Sequence, residues 1–137
     1  MADIKKLFIY KEETIMIGKD CLIDSSIESS NTVIFEDDGQ TGYFYAVERG
    51  DEMRILDALH IYNVQNVKDR DLPSIIKILW TEDFNQAFLS INDYIHAVFD
   101  FEKKAGYCRN GFPEANAWTK IQERTLTDEL LIELAKK

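Results

Sequence analysis

The stretch Ile55-Leu-Asp-Ala-Leu-His-Ile-Tyr62 limits the possible folds of this chain more than any other. Eight residues, apolar on nearly every side and carrying one Asp and one His, fit a central strand buried on both faces. The stretch follows Phe35-Glu-Asp-Asp-Gly-Gln-Thr-Gly-Tyr-Phe-Tyr-Ala-Val47, in which Asp38-Gly39 supplies residues that tolerate positive φ between two β-prone runs. That is the pattern of a hairpin. The later strands are expected to build on this pair.

Turn chemistry divides the rest of the chain. Residues 7–10 and 14–17 are short β-prone runs with Lys11-Glu-Glu between them, which predicts a small N-terminal hairpin. The polar segment from Asp24 to Asn31 predicts a surface loop. Further strands are expected at 32–36, 42–48, 54–62, 75–80, 87–91 and 94–101, with Asn92-Asp93 as a two-residue primed turn. Short connections make antiparallel pairing of neighbours the default, so these strands predict a meander.

Residues 102–118 are expected to be irregular because Gly106, Gly111 and Pro113 interrupt them, with Tyr107, Phe112 and Trp118 pinning the segment to the core. Leu126, Leu130 and Leu134 recur at i, i+4 beside Leu131, which predicts a C-terminal helix with one apolar face, capped by Thr125. The fold class is α+β: a mostly antiparallel β-meander sheet with a C-terminal α-helix packed on it.

The chain of 137 residues is expected to form one domain, and 45% apolar with 12% aromatic residues supplies a core. Sixteen basic against 25 acidic residues leave a net charge of −9. Such a surface repels phosphate backbones and sets nucleic acid aside as a direct partner. The apolar runs fall far short of the roughly 20 residues that cross a bilayer, so no membrane association is expected. Met1-Ala-Asp-Ile-Lys-Lys leads straight into a β-prone run without a secretory pattern. A cytoplasmic location with Cys21 and Cys108 as reduced thiols follows as an expectation.

Catalytic signatures, phosphate loops and metal-ligand spacings are missing from the sequence, so no cofactor or metal is expected. Glu36-Asp37-Asp38 could hold a hard cation, but an EF-hand needs alternating oxygen donors over twelve residues, and Tyr and Phe follow here. His96 and Asp100 share a strand face, yet lie about 13 Å apart and cannot touch. His96 could instead meet Asp57 or Cys108 across strands, whereas Asp57 and His60 point to opposite faces. Cys108 would be activated only if the Arg109 side chain approached it.

The phrases Phe35-Glu-Asp-Asp-Gly-Gln-Thr-Gly-Tyr-Phe-Tyr-Ala46, Ile55-Leu-Asp-Ala-Leu-His-Ile-Tyr62, Ala97-Val-Phe-Asp-Phe101, Gly106-Tyr-Cys-Arg109 and Phe112-Pro113 resemble an uncharacterised bacterial family, domain of unknown function 2251. The resemblance covers about residues 30–118. It implies a small bacterial protein and transfers no activity or functional residue.

Two functional classes remain. The first is a non-catalytic acidic protein-binding module, for example a bacterial immunity protein that neutralises a basic toxin domain. Its contacts would be Glu36, Asp37, Asp38, Glu48, Asp51 and Glu52, with Tyr43 and Tyr45 as anchors. The second is a small-molecule, metal-binding or enzymatic domain whose pocket draws on Asp57, His60, His96, Asp100, Cys108 and Arg109, centred near His96, Asp100 and Cys108. Either fits a monomer or a homodimer, the latter through an exposed sheet edge.

Overall fold

The computed structural model describes residues 3–25 and 29–137. Two antiparallel sheets face each other, and one C-terminal helix lies on the outer side of one of them. The class is α+β. The meander is divided between the sheets. Strands β2 (Cys21–Asp24), β3 (Asn31–Asp37), β4 (Thr41–Glu48) and β5 (Arg54–Asn63) form a four-stranded sheet in sequence order. Strands β6 (Ser74–Thr81), β7 (Gln86–Ile91), β8 (Tyr94–Asp100) and β9 (Ala105–Cys108) form the second sheet, and β1 (Leu7–Ile15) adds to its β6 edge.

Alternation along the strands sets the two faces. Phe44 and Ala46 of β4 point inward and are fully buried, while Tyr43 and Tyr45 point outward and are half-buried. Across the interior Phe44 stacks on Phe99 at 5.2 Å between ring centroids, and Trp80 stacks on Phe101 at 5.8 Å. The outer face of the five-stranded sheet presents Phe88, Val98, Ala105 and Tyr107 to Leu126 and Leu134. Of the predicted leucine stripe, Leu130 and Leu134 lie on the helix and Leu126 precedes it, and all three pack against this sheet. At the β7–β8 turn, Asn92 and Asp93 have φ of 52° and 65°, the left-handed pair that a type I′ turn requires. Among the described residues no helix is long and apolar enough to cross a membrane.

Several sequence expectations are corrected. The N-terminal hairpin does not form: Leu7–Ile15 is one edge strand antiparallel to β6, and Lys11-Glu-Glu runs through it after a bulge at Tyr10. Charge and a bulge on an edge strand are devices against edge-to-edge pairing, so the polar triplet marks an edge. Ile55–Tyr62 belongs to β5, which is the edge of its sheet and not its centre. It is not buried on both faces either, since Leu59 is fully buried while Ile55 is 59% exposed and Ala58 and His60 are half-buried. The segment after β9 covers its free edge: His60 N–H donates to the Phe112 carbonyl at 2.9 Å, and the Asn110 and Asn116 side-chain amides donate to the His60 and Leu56 carbonyls, each at 2.9 Å.

Residues 105–108, expected to be irregular, form β9. Gly106 makes this possible, since a Cβ there would lie 2.7 Å from the Phe99 ring and 2.9 Å from a carboxylate oxygen of Asp57. Phe112 is 58% exposed and does not pin its segment to the interior. Of the predicted polar loop, Asp24 ends β2 and Asn31 begins β3, while Ser26, Ile27 and Glu28 lie outside the described residues.

The helix cap also moves. Thr125 is still extended and bridges in parallel to Cys108, with Leu126 N–H donating to the Cys108 carbonyl at 2.8 Å. The helix α1 (Asp128–Ala135) begins two residues later, and the Thr127 hydroxyl accepts the Leu130 N–H at 3.1 Å. Thr127→Ala should cost about 1 kcal/mol of stability, as loss of a threonine cap typically does. Urea unfolding checks this, and an unchanged midpoint would show that packing alone holds the first turn.

Candidate functional site

The fourteen residues singled out in the sequence fall into separate environments, and burial sorts them first. At the β3–β4 tip, Asp37 is only 1% exposed. Its carboxylate accepts from Gly18 N–H at 2.8 Å, Gly39 N–H at 2.8 Å and the Tyr62 hydroxyl at 2.6 Å. Desolvation and this carboxylate hold the Tyr62 hydroxyl well above its ordinary pKa. Asp37 therefore anchors the turn and offers nothing to a partner, which corrects its place among the contact residues. Asp38 is exposed, and its carboxylate accepts from Gln40 and Thr41 N–H at 2.9 and 2.8 Å. These two backbone bonds lower its pKa.

On the outer face of the four-stranded sheet, four rings follow one another. Tyr45 stacks on Tyr43 at 5.7 Å, Tyr43 meets His60 edge-on at 5.8 Å, and His60 meets Phe112 edge-on at 5.7 Å. Cross-strand register explains the line, because Tyr43 pairs with His60 and the edge cover places Phe112 beside it. Glu36 accepts the Tyr45 hydroxyl at 2.7 Å. Burial, and then this bond, push that hydroxyl above its ordinary range. Glu48 bonds Arg54 at 2.7 Å at the far end of β4, beside exposed Asp51 and Glu52. The acids thus form two groups, separated by the length of an eight-residue strand, roughly 25 Å, with the rings between them.

The six expected pocket residues do not converge. Among the described residues, no hydrogen bond or ion pair joins the side chains of any two of Asp57, His60, His96, Asp100, Cys108 and Arg109. His60 bonds Asn63 Oδ1 at 3.0 Å. Asp100 is buried, accepting from Gln86 Nε2 at 3.1 Å and Lys103 N–H at 2.9 Å. Cys108 is buried, with Sγ 3.2 Å from Asn110 Oδ1 and 3.4 Å from the Phe112 carbonyl, and desolvation raises its thiol pKa. Arg109 turns away from it and lies 4.3 Å over the Tyr94 ring, donating to the Ile95 and Leu126 carbonyls and to Asp128. The condition for thiol activation is therefore not met. His96 and Asp100 no longer share a face in register, because Leu89 pairs with Ala97 and Ser90 with Ile95, which leaves His96 as a bulge. Among the described residues, no group of three His, Cys, Asp or Glu side chains is placed to hold a metal ion.

Asp57 belongs to a network that its own segment does not disclose. Arg124, 2% exposed, gives Nη2–H to Asp57 Oδ2, Nε–H to the Gly106 carbonyl at 3.0 Å, and Nη1–H to the Pro113 and Glu114 carbonyls at 3.0 and 3.2 Å. The Thr119 hydroxyl donates to the same Asp57 oxygen at 2.8 Å. Every contact is internal, so this is a structural latch. An Arg within Ile121-Gln-Glu-Arg-Thr-Leu126 reads as a surface residue, and only the fold exposes its role.

The family model for uncharacterised proteins conserved in bacteria (DUF2251) matches residues 15–135. The chain belongs to this family. It is also 37% identical over 122 residues to an uncharacterised protein of Haemophilus influenzae, a match covering 85% of this chain and 76% of that one. No solved structure matches it. The family model reaches beyond residues 30–118, where the resemblance was legible: it begins at Ile15, the last residue of β1, and takes in all of α1 to Ala135.

Two measurements test these placements. Removing one member of a buried ion pair leaves the other charge uncompensated, so Asp57→Ala and Arg124→Ala should each cost about 3–5 kcal/mol. Denaturant unfolding of both single variants and the double variant should give a cycle with strong coupling, and additive losses would contradict the latch. For His96, burial first and the Arg109 cation second push the imidazole down from 6.5 to about 4. The unfolded chain then binds a proton below its ordinary value that the folded chain does not. Stability is full above 6.5 and is lost as pH falls toward about 4. His96→Leu should flatten the decline in unfolding free energy between about pH 6.5 and 5, and parallel slopes would show ordinary titration in the fold.

Proposed function

We propose that this family member is a non-catalytic, cytoplasmic protein-binding module that presents the outer face of its four-stranded sheet to a basic protein. A toxin domain neutralised by this protein is the specific form of that reading. The observation that carries it is the ring line Tyr45–Tyr43–His60–Phe112, half-buried to exposed, with carboxylates in the turns at both ends of β4. Tyrosine and phenylalanine are enriched at interface cores, where they bury large area at small entropic cost.

Charge supports the same partner. A net charge of −9 accelerates encounter with a cationic surface, and carboxylates at the rim act mainly on association rate and its salt dependence. Asp38 in the β3–β4 turn and Asp51 and Glu52 in the β4–β5 turn are exposed acids at the two ends of the strand that carries Tyr43 and Tyr45. Glu36 is oriented by Tyr45 and leaves one carboxylate oxygen for a guanidinium.

The test begins with native mass spectrometry of the protein purified gently from its host. A basic polypeptide at fixed stoichiometry is expected. Against that polypeptide, Tyr43→Ala or Phe112→Ala should weaken affinity about tenfold or more, as truncated anchors do. Asp38→Lys with Glu52→Lys should slow association and reduce its salt dependence. Co-expression with the partner should restore growth if the partner is a toxin. Affinity indifferent to all four substitutions would remove the outer sheet face from the interface and overturn the reading.

A further inference from the structure

At one end of the sandwich, where the chain crosses from β5 to β6, a cleft of about 390 Å³ opens between the sheets. Ile17, Val67, Leu72, Pro73 and Ile91 supply apolar walls, and His96 lies among them. Both sheets and their crossover contribute, so the cleft is a product of the whole fold. Its size is at the lower end of small-molecule sites, which are mostly apolar with a few placed polar groups.

His96 is the polar group that has no structural duty. Neither ring nitrogen has a hydrogen-bond partner among the described residues, and its ring contact is the edge of Tyr94 at 5.1 Å. Two further polar groups within the cleft are engaged: the Tyr62 hydroxyl donates to Asp37, and Ser74 Oγ accepts from Asn92 Nδ2 at 3.4 Å. The bulge that carries His96 is itself informative, because bulges re-aim side chains and recur beside functional sites. A half-buried imidazole turned by a bulge into an apolar cleft leaves polar capacity that a ligand can satisfy.

The charge around the cleft selects the ligand class. The imidazole is neutral at physiological pH, being pushed down to about 4, so it offers one donor and one acceptor and no charge. Lys68 and Asp69, at the mouth, cancel in sign. Arg109, whose cation His96 feels, is paired with Asp128 at 2.9 Å, so a carboxylate or an ammonium group would find no unpaired opposite charge here. We infer that the cleft beside His96 binds a small neutral molecule with an apolar body and one hydroxyl group, such as a phenol or a short alcohol, with the hydroxyl on His96. This site lies apart from the ring line on the outer sheet face and does not depend on it.

The test uses p-cresol as the probe, with amide and imidazole NMR shifts of the full chain followed during titration. Saturable shifts are expected at His96, Ile91, Val67 and Leu72. His96→Leu keeps the apolar wall and removes the hydrogen bond, so affinity should fall about three- to tenfold, the worth of one neutral bond. Leu72→Trp, at an exposed position, fills the mouth and should abolish the shifts while leaving the rest of the spectrum in place. Absence of saturable shifts would overturn the inference. So would shifts scattered away from the cleft, or equal affinity in His96→Leu and the native protein.

Discussion

A single guanidinium bonds three separate pieces of chain, and much of the structure depends on it. Arg124 reaches the carboxylate of Asp57 in β5, the backbone of Gly106 in β9 and the carbonyls of Pro113 and Glu114 in the covering segment. Desolvating two charges is expensive, and the Coulomb attraction offsets that only when the remaining donors and acceptors are met. Here they are, with Thr119 and the Ala58 N–H completing the carboxylate. A hydrophobic pair of similar volume could match the stability. It would not fix the position of three strands and loops at once, which is the geometric work of a planar, five-donor group.

The periodic parts of the fold were legible in the sequence, and parts set by long-range contact were not. The β3–β4 hairpin, the Asn92-Asp93 turn and the leucine stripe each carry a local cause, and each is found. Ile55–Tyr62 shows the limit. Apolar residues on both sides of a strand suggest a central, doubly buried position, yet Ile55 is 59% exposed and β5 is an edge met by a loop. Lys11-Glu-Glu shows another: polar residues within a β-prone run mark a turn or an edge, and only pairing with β6 decides between them. The candidate site was legible in part. Tyr43 and Tyr45 could be placed on one face from alternation, while His60 and Phe112 joined them through a bulged register and an edge cover that no spacing rule contains.

Acidity, too, has a different meaning once the fold is known. Asp37, Asp57 and Asp100 are buried and satisfied by internal donors. Their role is to organise backbone at a turn, an edge and a strand end. Exposed pairs such as Glu48–Arg54 and Asp93–Lys77 contribute little to stability. The remaining carboxylates are spread over both sheets, the loops and the helix, and among them Asp38, Asp51 and Glu52 lie exposed at the two ends of β4, the strand that carries Tyr43 and Tyr45.

The latch also orders events during synthesis. Asp57 and Arg124 are separated by 67 residues. At typical elongation rates of about 5–20 residues per second, roughly 3–13 s pass between the appearance of one charge and of its partner. Through most of that interval the edge of β5 has neither its covering segment nor its counter-ion, and the growing chain must keep that carboxylate in water. The sandwich can close dry only when nearly all of it has been made. Arg124 and the segment before it complete a structure whose interior was largely specified by the first hundred residues or so.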